Sequence, residues 1–163
     1  MNKTTDCFTA SREETIEKYF NMVCKLALSQ TKDRHAADDV AQDVFMRFLK
    51  TDTQFETEEH IKAWLIRVTI NCSKSLFLSA WAKKTVPLTE EIPFDSPEKS
   101  DVYYAVHALP QKYRAVIHLF YYEQMSVAEI AKCLDTKEST VKSQLHRGRE
   151  MLKTMLKGGE SDV

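Results

Sequence analysis

Glycine and proline are scarce in this sequence of 163 residues, which contains three glycines and four prolines. A fold with many strands needs frequent turns, and turns are usually built from these two residue types, so their scarcity argues against such a fold. Two of the glycines are adjacent at positions 158–159, and three of the prolines lie within residues 85–100. Most of the remaining chain lacks helix-breaking residues over long stretches, which favours long helices.

Cysteine is also rare, and its four residues lie far apart at positions 7, 24, 72 and 133. No C-x-x-C pair or Cys/His cluster with zinc spacing occurs, so we expect apolar core cysteines in a reducing compartment rather than a metal site or disulfide framework. No apolar run approaches the roughly 18 residues of a membrane span. Residues 1–12 lack the apolar run of a signal peptide. We therefore expect a cytoplasmic protein without a metal or cofactor.

The net charge is −1 and the sequence pI is about 6.5, but the charges are unevenly distributed. Residues 60–84 carry five basic side chains and no acidic one, and residues 137–157 have a net charge of +4. Acidic segments flank the first basic block, with net charges of −5 over residues 33–59 and −4 over residues 85–101. Two basic blocks of this kind predict two separate contacts with anionic partners, although solvated surface faces are an alternative.

Apolar residues recur at helical spacing in three segments of the first half, within residues 11–31, 37–49 and 58–77. Ser11 precedes two glutamates and is a typical N-cap. A further short helix containing Trp81 is expected to follow. The side chains predicted to face the core are Ile16, Tyr19, Phe20, Val23, Leu26 and Ala27 in the first segment, Ala37, Val40, Ala41, Val44, Phe45, Phe48 and Leu49 in the second, and Ile61, Trp64, Leu65, Val68 and Cys72 in the third.

The prolines of residues 85–100 forbid a continuous helix there, and this acidic stretch is predicted to be a linker. The sequence therefore predicts an all-α protein with two small helical domains, residues 10–84 and 101–157, joined by a flexible linker over residues 85–100. In the second domain, Pro110 suits the first position of a helix. Its predicted core stripes are Val102, Ala105, Val106 and Leu109, followed by Tyr113, Val116, Ile117, Phe120 and Tyr121.

Residues 126–149 have the pattern of a helix-turn-helix. Ser126 and Glu129 form a capping box at the start of a short helix, and a break at residues 135–137 leads into a long helix ending near Leu156. Hydroxyl and amide groups near the start of the second helix can reach base edges in the major groove, while cations neutralise phosphates. An ordinary helical hairpin with a solvated basic face is the alternative. The outward side chains are Ser139, Thr140, Lys142, Ser143, Gln144, Arg147 and Arg149.

Three segments together resemble the sigma-70 family, in its short extracytoplasmic-function (ECF) group. Region four is resembled by ALPQKYR at residues 108–114 and TVKSQLHRGR at residues 140–149. DRHAADDVAQDVF at residues 33–45 looks like the core-binding helix of region two, and AWLIRVTIN at residues 63–71 resembles the DNA-melting helix that follows it. At the helix-turn-helix turn, Asp135 stands where the family often has glycine. Aspartate can adopt the left-handed conformation needed there.

The resemblance implies a sigma factor that binds core RNA polymerase and directs it to promoters, with three binding surfaces. It also implies a dedicated anti-sigma factor, often membrane-bound, as a partner, and no small-molecule substrate. The implied residues are Asp38, Asp39, Gln42, Asp43 and Arg47 for core polymerase, Arg67, Asn71, Lys74 and Ser75 for the minus-ten element, and Lys137, Ser139, Thr140, Lys142, Ser143, Gln144, Arg147 and Arg149 for the minus-thirty-five element.

Two other classes of protein are alternatives to a sigma factor. A helix-turn-helix regulator that is not a polymerase subunit would bind duplex DNA tightly by itself and would not need the basic block at residues 60–84. An enzyme could use carboxylates such as Asp38 and Asp39, but adjacent residues on a helix diverge by about 100° and cannot readily chelate one metal ion. The sequence lacks a Ser/His/Asp order, a glycine-rich phosphate loop and H-E-x-x-H. We therefore expect no enzymatic activity.

Overall fold

The computed structural model describes residues 11–82 and 100–160, and the side chains of residues 11–76 and 100–157. The chain divides into two compact units, Met1–Glu91 and Ile92–Val163. All regular secondary structure in the described ranges is helical, which confirms the predicted all-α class. The predicted linker lies outside the described residues except for Ser100, and so do Lys83 and Lys84 of the first basic block.

Unit 1 contains three helices that pack against one another: α1 (Arg12–Thr31), α2 (Arg34–Lys50) and α3 (Glu58–Ala82). The predicted N-cap at the start of α1 is present, because the Ser11 hydroxyl accepts a hydrogen bond from the backbone N–H of Glu14 at 3.1 Å. The Asp33 carboxylate caps α2 in the same way. Between these helices, Lys32 has a φ of 61°, which gives the short left-handed turn that connects them.

The core of unit 1 comes mainly from the predicted stripes. Val23, Leu26, Val44 and Leu65 are fully buried. Helix α3 packs against both other helices, so it also buries residues outside its predicted stripe, namely Ile66, Thr69, Ile70 and Ser73.

Three predictions for unit 1 are wrong. Phe20 and Leu49 are 50% and 47% exposed, because each lies at the edge of its stripe and the helix turns it towards solvent. Phe20 instead stacks on Phe45 with ring centroids 5.9 Å apart. The third helix was predicted to end near residue 77, with a separate helix around Trp81. Helix α3 instead runs unbroken to Ala82, because nothing in this stretch interrupts helical hydrogen bonding.

Unit 2 contains α4 (Asp101–Ala108), α5 (Gln111–Ile117), a π-helical turn (His118–Tyr122), α6 (Val127–Cys133) and α7 (Glu138–Glu160). Pro110 is the N-cap of α5, one residue before the position predicted for it. Helix α7 continues to Glu160, past the predicted end near Leu156 and through the adjacent glycines. The backbone N–H of Glu123 donates to the His118 carbonyl oxygen at 3.2 Å, which closes the π turn.

The core of unit 2 is built around fully buried aliphatic side chains, among them Leu119, Ile130 and Val141. Two side chains predicted to face this core are exposed: Val102 at 47% and Tyr121 at 51%. Val102 lies in the first turn of α4, at the edge of the unit. Tyr121 lies in the π turn, where one additional residue shifts the side chain off the 3.6-residue stripe on which the prediction rested.

A buried arginine supports the junction between α4 and α5. The Arg114 side chain is 4% exposed, and its guanidinium donates to the Leu109 carbonyl oxygen at 2.5 Å. Burial lowers the pKa of Arg114 to about 10, which leaves it charged at neutral pH. The last carbonyl groups of a helix lack partners within the helix. Arg114 therefore stabilises the α4–α5 junction from inside the unit.

Gly148 sets the close approach of α7 to α5. A Cβ atom at this position would lie 3.1 Å from Ile117 Cγ1 and 3.6 Å from Tyr113 Cβ.

We expect Gly148→Val to lower the free energy of unfolding by about 2 kcal/mol, because added methyl groups would force these well-packed helices apart. Urea denaturation followed by circular dichroism measures this change. Glu150→Val, at an exposed position of the same helix, is the control; equal stability of Gly148→Val and wild type would contradict the close approach.

Candidate binding surfaces

The outer face of α2 brings together all five residues predicted to bind polymerase. Their spacing along the helix repeats at three or four residues, so they lie on neighbouring turns of one side. Each side chain is exposed, as expected from the opposite, buried stripe of the same helix. These residues are Asp38, Asp39, Gln42, Asp43 and Arg47.

Two large apolar side chains lie on the same outer face. Met46 is 49% exposed and Leu49 is 47% exposed, and they follow the acidic residues within one or two helical turns. Sequence reasoning left Met46 out of the binding residues and assigned Leu49 to the core. The signal that could have found Met46 was an apolar residue within a polar stripe. Exposed apolar groups surrounded by polar ones are typical of protein-binding surfaces, so the face is amphipathic rather than simply acidic.

Hydrogen bonds hold both oxygens of the Asp43 carboxylate. Arg47 Nε donates to Oδ1 at 3.2 Å, and the Cys72 thiol of α3 donates to Oδ2 with an Sγ–O distance of 3.3 Å. The hydrogen bond from Arg47, together with the one from Cys72, lowers the pKa of Asp43. Burial, followed by the neighbouring Asp43 carboxylate, raises the pKa of Cys72 to about 11. The thiol is therefore protonated at neutral pH and able to donate.

The exposed face of α3 carries the four predicted minus-ten residues, Arg67, Asn71, Lys74 and Ser75. Their spacing places them on one side of the helix over two turns. On another side of α3, half-buried Trp64 packs against Phe48 and Phe55, with ring centroids 5.8 Å from each. This packing agrees with a core role for Trp64.

The helix-turn-helix is formed by α6 and α7. The Ser126 hydroxyl accepts from the backbone N–H of Glu129 at 3.1 Å, so Ser126 caps α6 as predicted. The Glu129 carboxylate accepts from that hydroxyl, also at 3.1 Å, instead of from the Ser126 backbone N–H as in a complete capping box. Asp135 has a φ of 53°, which confirms its predicted left-handed conformation. The backbone N–H of Thr136 donates to the Ala131 carbonyl oxygen at 2.9 Å and completes the turn.

A cleft of about 340 Å³ lies along the outer side of α7. Lys112 and Tyr113 of α5 form its opposite side, and sequence reasoning placed neither of them there. The Arg147 side chain lines the same cleft and lowers the pKa of Tyr113 by favouring the phenolate. The predicted minus-thirty-five residues that line this cleft are Ser139, Thr140, Ser143, Gln144 and Arg147.

The remaining predicted minus-thirty-five residues do not line the cleft. Lys137 lies just before α7, and Lys142 is exposed on that helix. Arg149 contacts the π turn: its Nε donates to the Tyr121 hydroxyl at 2.6 Å, and its guanidinium lies 5.3 Å from the centroid of the Phe120 ring. Five of the eight predicted residues therefore share one cleft, and the other three lie outside it.

The part of the chain that the structure describes contains neither a metal-binding cluster nor a membrane-spanning helix. Within residues 11–82 and 100–160, no group of three or more His, Cys, Asp or Glu side chains is placed to hold a metal ion. None of the helices described there combines the length and hydrophobicity that a membrane-spanning helix requires.

These features define an all-helical protein of two compact units, the second of which contains a helix-turn-helix. Residues 15–83 match the family described as Sigma-70 region 2, and residues 99–152 match Sigma-70, region 4. The chain therefore belongs to the sigma-70 family. Sigma factors are non-catalytic subunits of RNA polymerase, so family membership confirms that the chain is not an enzyme.

Curated relatives place the chain in the ECF group of RNA polymerase sigma factors. It is 28% identical over 164 residues to the ECF RNA polymerase sigma factor SigW of Bacillus subtilis, covering 88% of each chain. Identity to SigM of the same organism is 27%, covering 92% of this chain and 98% of SigM. Identity to SigE of Mycolicibacterium smegmatis is 26%, covering 94% of this chain and 64% of that relative. The predicted sigma factor function is thereby confirmed.

Two solved structures have a similar fold. The sigma factor RpoE, in complex with the anti-sigma factor NepR from Bartonella quintana, aligns with a TM-score of 0.66 and 22% identity, covering 89% of this chain and 96% of RpoE. CnrH, in complex with the cytosolic domain of CnrY, aligns with a TM-score of 0.68 and 20% identity, covering 96% of this chain and 94% of CnrH.

Proposed function

We propose that this ECF sigma factor works in the cytoplasm, binding core RNA polymerase through the outer face of α2 and promoter DNA through the exposed faces of α3 and α7. The observation that carries the proposal is the presence of Met46 and Leu49, each about half exposed, on the acidic face of α2. Hydration alone does not require two large apolar side chains within one polar helix face. A protein interface uses such groups as anchors.

The acidic residues around these anchors favour a basic surface on the polymerase. Asp38, Asp39 and Asp43 are exposed on α2 and provide three negative charges. Complementary charge increases the rate of encounter and fixes the orientation of docking, while the apolar centre provides affinity after water is excluded. We assign the clamp helices of the largest polymerase subunit as the partner of this face, following the resemblance of residues 33–45.

The exposed face of α3 is assigned to the non-template strand at the minus-ten element. Arg67 and Lys74 provide cations for the phosphate backbone, and Asn71 and Ser75 provide hydrogen-bonding groups for unstacked bases. Capture of an unstacked base compensates for the cost of opening the duplex, which is a few kcal/mol per base. The sigma factor would thus provide binding energy for the open promoter, while the polymerase performs nucleotide addition.

The outer side of α7 is assigned to the minus-thirty-five element as duplex DNA. Ser139, Thr140, Ser143 and Gln144 offer hydroxyl and amide groups to base edges in the major groove. The residues assigned to phosphate contacts or guanine are Lys137, Lys142, Arg147 and Arg149. Arg147 and Tyr113 line the same cleft, so a phosphate bound by Arg147 would lie close to the phenol of Tyr113.

An anti-sigma factor is proposed as a further partner. The RpoE structure, which shares this fold, was solved in complex with the anti-sigma factor NepR. A partner of this class, often membrane-bound, would limit the chain's access to polymerase until a signal releases it.

Run-off transcription tests the proposed function. Purified core RNA polymerase is incubated with the chain and a promoter library randomised in both elements. We expect transcripts only when the chain is present, and enrichment of two sequence motifs at a fixed spacing. Absence of association with core polymerase at moderate salt would contradict the proposal. Tight, specific duplex binding combined with that absence would instead support the helix-turn-helix regulator.

A further inference from the structure

Cys72 connects the helix assigned to promoter DNA with the helix assigned to polymerase. It lies on α3 immediately after Asn71, but it points inward, with only 6% of its surface exposed. Its Sγ atom is 3.3 Å from Oδ2 of Asp43 on α2. A buried donor on one helix thus reaches a carboxylate on the exposed face of another.

The Asp43 carboxylate needs such a donor in order to have a fixed orientation. Its other oxygen accepts from Arg47, but that pair is exposed, with 60% of the Arg47 side chain and 49% of the Asp43 side chain accessible. Exposed ion pairs are weak, because both side chains lose rotamer freedom and water screens their charges. Cys72 is anchored in the core and loses little freedom when it donates, so its bond restricts the carboxylate more effectively.

We propose that Cys72 is a positioning residue for polymerase docking, whose thiol holds the Asp43 carboxylate in the orientation that the polymerase recognises. This inference rests on the proposed function, in which Asp43 contacts core polymerase. A polar group that is oriented before binding loses less conformational entropy when the complex forms. Cys72 itself touches no partner, and it contributes through Asp43.

A double-mutant cycle on the full chain tests this role by measuring the dissociation constant for core RNA polymerase. Asp43→Ala should weaken binding about tenfold. Cys72→Val removes the donor but fills the space, and it should weaken binding roughly three- to fivefold. The double variant should bind like Asp43→Ala alone, because the thiol has no effect once the carboxylate is absent.

Cys72→Ser retains a hydroxyl donor and should restore most of the affinity lost in Cys72→Val. Cys24→Ala is the matched control in unit 1, because it removes a half-buried thiol from α1 and should bind like wild type. Urea denaturation of every variant measures whether unit 1 is folded. If Cys72→Val proves unfolded, Cys72→Ala takes its place, since it also removes the donor and should weaken binding by a similar factor; wild-type affinity of Cys72→Ala would overturn the role of the donor.

The outcomes separate the inference from the proposed function on which it rests. Wild-type affinity of Asp43→Ala would remove Asp43 from the polymerase contacts, which is a failure of the proposed function. Weak binding of Asp43→Ala together with wild-type affinity of Cys72→Val would overturn only the positioning role. The same conclusion would follow if the effects of the two substitutions multiplied in the double variant, because the residues would then act independently.

Discussion

Replacing both Met46 and Leu49 by aspartate should weaken binding to core RNA polymerase by at least about 100-fold. The two apolar anchors would be lost, and two carboxylates would have to be desolvated in the centre of the interface. Because both side chains are about half exposed in the free chain, the fold of unit 1 should tolerate the change. Fluorescence anisotropy of the labelled chain, titrated with core polymerase, measures the affinity.

The matched control for this prediction is Lys25→Asp. Lys25 is exposed on α1, outside the α2 face, and its replacement changes the net charge by −2, as the double substitution does. Any general effect of added negative charge would appear equally in both proteins. If the double variant bound core polymerase as tightly as the control, the outer face of α2 would not be the docking surface.

Replacing Arg147 by glutamate should weaken binding of the polymerase–sigma complex to a promoter fragment about 100-fold. The substitution removes a cation from the cleft along α7 and places a carboxylate near the phosphates. It should also reduce the dependence of affinity on salt, because fewer counterions are released on binding. Electrophoretic mobility shifts over a range of salt concentrations measure both quantities.

Lys153→Glu provides the comparison for Arg147→Glu. Lys153 is exposed on the same helix, but it lines an apolar groove beside α4 and the π turn rather than the cleft. The two substitutions change the net charge equally, so a larger effect at Arg147 isolates the contribution of the cleft. Equal effects at both positions would mean that α7 attracts DNA only through its overall charge.

The helices and several of their starts followed from local chemistry and could be predicted, whereas the C-terminal ends of α3 and α7 could not. Ser11 and Ser126 cap helices because their hydroxyls accept orphan backbone N–H groups, and this requires only neighbouring residues. Asp135 adopts a left-handed conformation for an equally local reason. The outward position of Asp38 and its neighbours followed from the apolar stripe on the opposite side of α2.

The rest depends on contacts between residues far apart in the sequence. Leu49 and Phe20 lie at the edges of their stripes, where only the packing of the neighbouring helix decides whether a side chain is covered. The pairing of Cys72 with Asp43 and the approach of Tyr113 to Arg147 join different helices, so periodicity within one helix cannot reveal them. The π turn depends on one additional residue that no pattern at 3.6-residue spacing identifies.

Because of that additional residue, the positions of the side chains in the π turn depend on the number of residues between α5 and α6 as well as on their identity. Deleting one residue from His118–Tyr122 would convert the bulge into a regular α-helical turn, and the side chains of that turn would move to the 3.6-residue spacing of an α-helix. Tyr121 would then move relative to Arg149, whose Nε now donates to the Tyr121 hydroxyl. Deleting one residue here would thus remove the hydrogen bond that fixes Arg149, 28 positions further along the chain, although Arg149 itself would be unchanged.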